Sequence, residues 1–484
     1  MEVRRRETRR FGPPFDRSAA RRSLAPVQSL TLCALVGLAG ALMWFEPRLF
    51  WHSLVAAGAW GFLAVAVWRL ILILLSAVPA PPTPKPAVWP RYTVVAALYH
   101  EAEVVGQLIE RLSRIDYPAD RLQGLLVLEE HDHETIAAAL AGPRPTWLEV
   151  FIAPPGQPQT KPRALNCALA HATGDLLTVY DAEDDPDPLQ LREAAARFAA
   201  DPTGRLACLQ APLRIRRRGR AADPSPFLDR QFAAEYASLF ETTLPGIARL
   251  GLPFPLGGTS NHFRTDILSA VEGWDAWNVT EDADLGFRLW SRGWRLGVIS
   301  RPTWETPPGG LDNWLPQRTR WLKGYMQTWG VHTRAPWRLG WRGAAALVLT
   351  IGAGLVSAAL HGLSLAWVAA TVLVSLMAGL PPETPALALG VLALGAMSAW
   401  LSCSIGARRA GVPYRADDMI AAPAYWALLS FAFVHAVWRL ILDPYAWDKT
   451  RHRRDAPAET QDVLDETAPL RLSAVHAAAP EPVA

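Results

Sequence analysis

Gly174-Asp-Leu-Leu-Thr-Val-Tyr-Asp-Ala-Glu-Asp-Asp-Pro-Asp-Pro188 is a short apolar run that ends in a cluster of carboxylates. Leu176 to Tyr180 has the length and apolarity of a strand buried in a parallel sheet, and such strands offer ligands from their carboxyl ends. Asp181 and Glu183 stand at that end, with Pro186 and Pro188 stiffening the chain just beyond them. Two carboxylates one residue apart suit a hard divalent cation that completes its shell with phosphate oxygens. A solvated acidic turn after a strand would have the same sequence, so the neighbouring motifs decide between the two readings.

On the N-terminal side, Arg91 to Leu98 reads as a first strand, turning at Tyr99-His-Glu-Ala-Glu103 into a helix through Val104, Leu108 and Leu112. A second strand, Leu125 to Leu128, runs into Glu129-Glu130-His131-Asp132, and Val150 to Ala153 is a third. Strands alternating with helices predict an α/β, doubly wound sheet whose strand-to-helix loops converge at one edge. Thr160-Lys-Pro-Arg-Ala-Leu-Asn166 reads as a capped helix start. Its free amides with Lys161 and Arg163 make an anion site, or the segment is a plain capped amphipathic helix.

On the C-terminal side, the basic run Arg214 to Arg220 reads as a solvated loop or a segment near anionic lipid, and no catalytic role is assigned to it. Phe227 to Phe240 reads as an amphipathic helix, and Leu256-Gly-Gly-Thr-Ser-Asn-His262 as a loop that lets backbone approach a ligand. In Asn278-Val-Thr-Glu-Asp-Ala-Asp-Leu-Gly286, Thr280 is placed to cap a helix with an acidic first turn. Those acids either complement the helix dipole or include a general base. Gln317-Arg-Thr-Arg-Trp321 combines forked phosphate donors with a flat ring on which a sugar can stack; an interfacial Arg/Trp helix has the same composition.

Half of the 484 residues are hydrophobic and the net charge is only +3, which gives no reason to expect a nucleic-acid partner. The apolar runs sit at both ends. The expected organisation is a disordered basic cytoplasmic tail (1–28), two membrane helices (29–78), a proline-rich linker (79–90), the α/β domain (91–338), three or four membrane helices (339–442) and a cytoplasmic tail (443–484). Ser29 to Phe45 and Leu49 to Trp68 form the first pair, with Arg69 at the interface. The 34 uncharged positions from Gly343 to Leu376 predict a tight hairpin of two short helices near His361-Gly362, and Ala386 to Gly406 and Met419 to Trp438 are further spans. Four C-terminal spans would set Arg408, Arg409 and Arg415 on the outer side, against the positive-inside rule; an interfacial helix over 407–418 with one span fewer is the alternative. The four cysteines are scattered and predict neither a disulfide framework nor a zinc site.

The acidic strand end at Glu129-Glu130, D-A-E at 181–183, T-E-D at 280–282 and Q-R-T-R-W at 317–321 occur in one order along one domain. In this the chain resembles the membrane-embedded family-2 glycosyltransferases, which include the catalytic subunits of cellulose and hyaluronan synthesis. It looks closest to bacterial exopolysaccharide transferases. The resemblance implies a nucleotide-sugar-binding, GT-A-like domain inserted between transmembrane helices, in a multi-pass protein of the bacterial inner membrane with its catalytic domain cytoplasmic. It implies that Tyr99 and Glu101 sit at the nucleotide, with His100 in place of the usual Asn, and that Glu129 or Glu130 contacts the uracil. Lys161 would meet the pyrophosphate, and Asp181 and Glu183 would hold Mg²⁺ or Mn²⁺. Asp282 would be the general base, Gln317, Arg318 and Arg320 would face the diphosphate, and Trp321 would support the acceptor sugar. Trp447-Asp-Lys-Thr450 with His452 would close over the site. The activity implied is metal-dependent, inverting transfer from a UDP-sugar to a growing exopolysaccharide, with possible export subunits. Single-sugar transfer to a lipid carrier and a non-catalytic nucleotide-sugar sensor are the alternatives.

Overall fold

The computed structural model describes residues 19–22, 24–78, 83–216, 226–379 and 386–446. The part of the basic run from 217 to 220, the Trp447–Thr450 segment with His452, and the C-terminal tail beyond 446 lie outside the described residues.

Among the described residues ten strands form two sheets: β1 Tyr92–Leu98, β2 Leu122–Glu129, β3 Leu148–Ala153, β4 Leu176–Tyr180, β5 Asp185–Pro186, β6 Leu206–Gln210, β7 Leu213–Ile215, β8 Asn261–Arg264, β9 Arg295–Val298 and β10 Thr303–Glu305. The large sheet has the order β3-β2-β1-β4-β8-β6-β9 and the small one β5-β10-β7. The strands from β3 to β4 are parallel, as their near-continuous apolar sequences require. Alternate residues of β1 show why: Tyr92, Val94, Ala96 and Leu98 join one buried cluster and Val95 the other, so helices cover both faces. β8 runs antiparallel to both neighbours, making the sheet mixed. Its buried His262 is satisfied by Tyr92 Oη at 2.6 Å and Gln190 Oε1 at 3.1 Å, and burial lowers its pKa to about 3, so the ring is neutral.

Among the described residues, five helices are long and apolar enough to cross a membrane: Pro26–Phe45, Pro47–Ser76, Pro336–Ala378, Leu389–Ala410 and Ala416–Leu442. The hairpin expected between Gly343 and Leu376 is instead one continuous run, with a π-turn at Val348–Gly352. His361 and Gly362 are interior to it and pack on Trp426 and Ser430. The second helix also extends past Trp68, because Leu72 and Ile73 are buried and Leu72 seats against Gly246 of the α/β domain. Of the expected N-terminal tail, Ala19 and Ala20 are buried on the domain, the Ala20 amide donating to Asp275 at 2.8 Å.

Contacts fix which end of each helix meets the domain. Gln28 bonds Gly330 and Thr333, Val78 accepts from Arg249, Leu339 accepts from Trp290, and Arg409 donates to the Glu241 carbonyl. The fifth helix touches the domain at both ends, through Asp418 with Arg230 and Asp443 with Lys323. It therefore runs along the domain, beside the helix Leu311–Thr333, while the other four extend from it. Arg409 and Arg415 lie on the domain side, which removes the conflict with the positive-inside rule that a four-span C-terminal part creates.

Candidate active site

A cavity of about 640 Å³ opens at the carboxyl ends of β1, β2 and β4. Tyr99, Glu101, Glu129, Lys161, Asp181, Glu183, Asp282, Gln317, Arg320 and Trp321 all line it. Two expected residues do not. Glu130 is exposed, because β2 ends at the buried Glu129 and Glu130 lies in the turn that follows. Glu129 accepts from Arg163 Nη2 at 2.9 Å, so Arg163 serves a carboxylate rather than an anion site. His100 has φ 52°, a left-handed conformation that Asn adopts readily, and its amide is held by Asp132 at 2.6 Å.

The acidic turn after β4 is organised by a residue the motif did not single out. Asp184 is fully buried and accepts from the Asp181 amide at 2.7 Å and from Thr259 Oγ1. Burial, with Asp181 and Glu183 nearby, raises its pKa well above the carboxylate range. Glu305 on β10 lines the same cavity, and burial followed by the neighbouring Asp184 and Glu183 raises its pKa too. A lone Glu in a three-residue strand leaves no sequence signal.

Lys161 opens the helix Lys161–Leu169 and donates to Asp181 Oδ1 and to the Gly258 carbonyl at 2.8 Å. Burial works against its charge, but Asp181 and Glu281 outweigh it and the pKa is raised. Thr160 occupies the N-cap position without capping: its hydroxyl donates to the Ala276 carbonyl. Thr280 likewise precedes the helix Glu281–Ser291 without a side-chain cap bond.

The T-E-D-A-D segment divides into two roles. Asp284 is buried, bonded to Arg288 Nη2 at 2.6 Å and His332 Nε2 at 2.9 Å; these partners overcome burial and bring its pKa down to about 2. Asp282 faces the cavity. A carbon built on Gly258 would lie 3.4 Å from Asp282 Oδ2 and 4.0 Å from Asp181 Oδ2, so both carboxylates face this glycine. Burial pushes Asp282 up to about 6, against the Ala283 amide, Lys161 and Arg320. Burial and the Asp282 charge push its neighbour Glu281 up to about 8.

On the helix Leu311–Thr333, Gln317, Arg320 and Trp321 share the cavity-facing side, as i, i+3, i+4 spacing dictates. Gln317 Oε1 is buried and has no hydrogen-bond partner among the described residues, which leaves a polar atom for a ligand. Arg318 points elsewhere, correcting the expectation that it faces a diphosphate. It is held by Glu235 at 2.8 and 2.6 Å and by Tyr425 Oη at 2.9 Å, and lies over the Trp321 ring at 4.6 Å.

A second cavity, of about 1200 Å³, lies among the apolar helices. Tyr236, Leu239, Trp321 and Tyr325 line both cavities, so the two adjoin at these side chains. Tyr445 and Ala446 border the first cavity, and Tyr445 meets Trp277 edge-on at 5.2 Å. The chain thus returns to the site just before the segment expected to close over it.

The family described as "Glycosyl transferase family group 2" matches residues 176–401, the stretch carrying D-A-E, T-E-D and Q-R-T-R-W. Over this stretch the chain is similar to the family-2 glycosyltransferases. Among curated relatives, the chain is 26% identical over 315 residues to a beta-monoglucosyldiacylglycerol synthase of Synechocystis sp., covering 60% of the chain and 63% of the relative. It is 26% identical over 262 residues to the UDP-forming cellulose synthase 1 catalytic subunit of Komagataeibacter xylinus, covering 52% and 33%. The chain therefore spans less than two thirds of the length of each. The mannosyltransferase PcManGT of Pyrobaculum calidifontis, solved with GDP-Man and Mn²⁺, superposes with a TM-score of 0.53 at 17% identity, over 80% of this chain and 97% of that one. That likeness shows a shared GT-A-type fold.

Proposed function

We propose that this protein moves a sugar from a UDP-sugar to a hydroxyl of a membrane-held acceptor, inverting the anomeric configuration. The observation that carries the reading is that Asp181 and Asp282 converge on Gly258, in the cavity that Tyr99, Glu129 and Gln317 also line. The base of the donor would sit at the Tyr99 and Glu129 end. Its diphosphate would lie along Lys161, Gln317 and Arg320, with Lys161 exchanging Asp181 for a phosphate oxygen.

Asp181 and Glu183 fit a hard cation. They are oxygen donors on one turn, and no group of three or more potential ligands occurs among the described residues, so the shell would need diphosphate oxygens as well. Mg²⁺ or Mn²⁺ there would neutralise charge developing on the leaving diphosphate. Asp282, ionised above about pH 6, takes the proton of the acceptor hydroxyl. The hydroxyl oxygen then bonds to the anomeric carbon as the bond to the diphosphate breaks on the opposite face, and UDP leaves.

The acceptor class is argued from the second cavity. Its walls are largely aliphatic and glycine-rich, a surface suited to lipid chains. Single-sugar transfer to a lipid is therefore the preferred reading, in keeping with the relative named as a glucosyldiacylglycerol synthase. A growing exopolysaccharide is the second reading, favoured by Trp321 at the junction and by the cellulose synthase relative; export subunits belong to that reading alone. Arg409 and Arg415 on the domain side support a cytoplasmic domain on an inner membrane. Incubating the purified protein with UDP-sugars, Mn²⁺ and membrane lipids, then reading product mass and anomeric configuration, tests the proposal. One added β-linked sugar on a lipid is expected; an α-linked product would overturn inversion, and a ladder of sugars would favour the polymer.

A further inference from the structure

Arg69 lies inside an apolar helix, seven residues before its domain-side end at Ser76, about 10 Å at 1.5 Å per residue. A cation at such depth is costly unless it is paired or serves a ligand. Arg69 Nη1 donates to Ser398 Oγ at 3.0 Å and to the Gly395 carbonyl at 3.4 Å, both on the neighbouring helix Ala386–Ala410. These bonds turn the guanidinium across the bundle instead of out towards the interface, where an isolated arginine would snorkel.

No carboxylate among the described residues forms an ion pair with Arg69. Glu235, the acidic residue of the cavity wall, is committed to Arg318 through both of its oxygens. Arg69 instead lines the 1200 Å³ cavity, together with His361 and Ser364. The cavity thus combines aliphatic walls with a cation that has donors to spare. Gly58 and Gly354 keep it wide, since a carbon built on either meets nothing within 4 Å.

We propose that this cavity binds a phosphate-bearing membrane lipid, its phosphate on the Arg69 guanidinium and its chains against the aliphatic walls. A planar guanidinium matches phosphate oxygens in forked geometry, and the partners that hold Arg69 leave it oriented before the ligand arrives. Resting on the transferase reading above, the lipid's hydroxyl-bearing end extends past Trp321 towards Asp282. The acceptor is then an anionic lipid, and a neutral diacylglycerol is a poor ligand.

Native mass spectrometry of the detergent-purified full chain, without donor sugar, tests the binding step alone, so a failure of transfer chemistry leaves its result intact. Phosphatidylglycerol, a polyprenyl phosphate and diacylglycerol are offered at equal concentration. The wild type should retain at least one phosphate lipid about 10-fold over diacylglycerol; retention of phosphatidylglycerol keeps its glycerol hydroxyl as the acceptor, whereas retention of the polyprenyl phosphate alone, which carries no such hydroxyl, overturns the placement of the acceptor at Asp282. Arg69→Gln should lose this preference and Arg69→Lys keep most of it, while Gly354→Leu, which narrows the cavity and keeps the charge, should lower retention of every lipid. Equal retention of diacylglycerol by the wild type overturns the proposal, a result that needs no variant to fold. So does an unchanged preference in folded Arg69→Gln, or displacement of the lipid by equimolar inorganic phosphate.

Discussion

Gly324 lies directly against Thr280, so that a methyl group at residue 324 would collide with the Thr280 side chain. This contact ties the helix bearing Gln317, Arg320 and Trp321 to the first turn that carries Asp282. The groups expected to act on donor and acceptor are therefore positioned by one close packing contact.

Gly324→Ala should keep the fold but shift Asp282 relative to Gln317 and Arg320. Misplacement on the order of 1 Å lowers turnover by about 10²-fold. Steady-state kinetics should show the loss in kcat, with the circular dichroism spectrum unchanged.

Asp282→Asn should reduce kcat by about 10²- to 10⁴-fold, the range for loss of a general base. In the wild type the ionised carboxylate is the active form. With Asp282 pushed up to about 6, kcat/KM should rise with pH through about 6 and fall about tenfold per unit below it. A pH–rate profile with no acidic limb in that region would remove Asp282 from the role.

Asp181→Ala and Glu183→Ala should each weaken Mn²⁺-dependent UDP binding by at least about 10-fold, by analogy with the sensitivity of metal sites to their supporting groups. Titration calorimetry with and without Mn²⁺ separates this from the contribution of Lys161, which persists without metal.

The Asp284 network is a stability element. Its pKa is about 2 in the folded protein against about 3.9 in an unfolded chain, so it contributes about 2–3 kcal/mol that is present above about pH 4 and lost as pH falls through about 2. Asp284→Ala leaves the buried Arg288 without its carboxylate and should cost about 3–5 kcal/mol. A lowered melting temperature in detergent, seen at neutral pH, checks this.

The parallel strands were legible because each is a bounded apolar run, and the four motifs because carboxylates and cations cluster at strand ends and helix starts. β8 was not, since Asn261-His-Phe-Arg264 places polar residues in the sheet interior, where side-chain partners make them tolerable. Choosing Glu129 over Glu130 needed the residue at which β2 ends, and excluding Arg318 needed helical spacing. Arg318 is one step of about 100° from Gln317, whereas Arg320 and Trp321 return to its face. Asp184 stood within the acidic run, but its role in folding the turn depends on Thr259, 75 residues away. The continuous helix through His361 and Gly362 depends on partners in the fifth apolar helix, contacts that no local pattern encodes.

UDP release by the detergent-purified protein, measured over a panel of UDP-sugars with and without Mn²⁺ and beside Asp282→Asn, tests the central claim most directly. The account predicts a metal-dependent signal with one donor, lost in the variant. Undiminished release by folded Asp282→Asn, or no release by the folded wild type with any donor and supplied lipid acceptor, would contradict it.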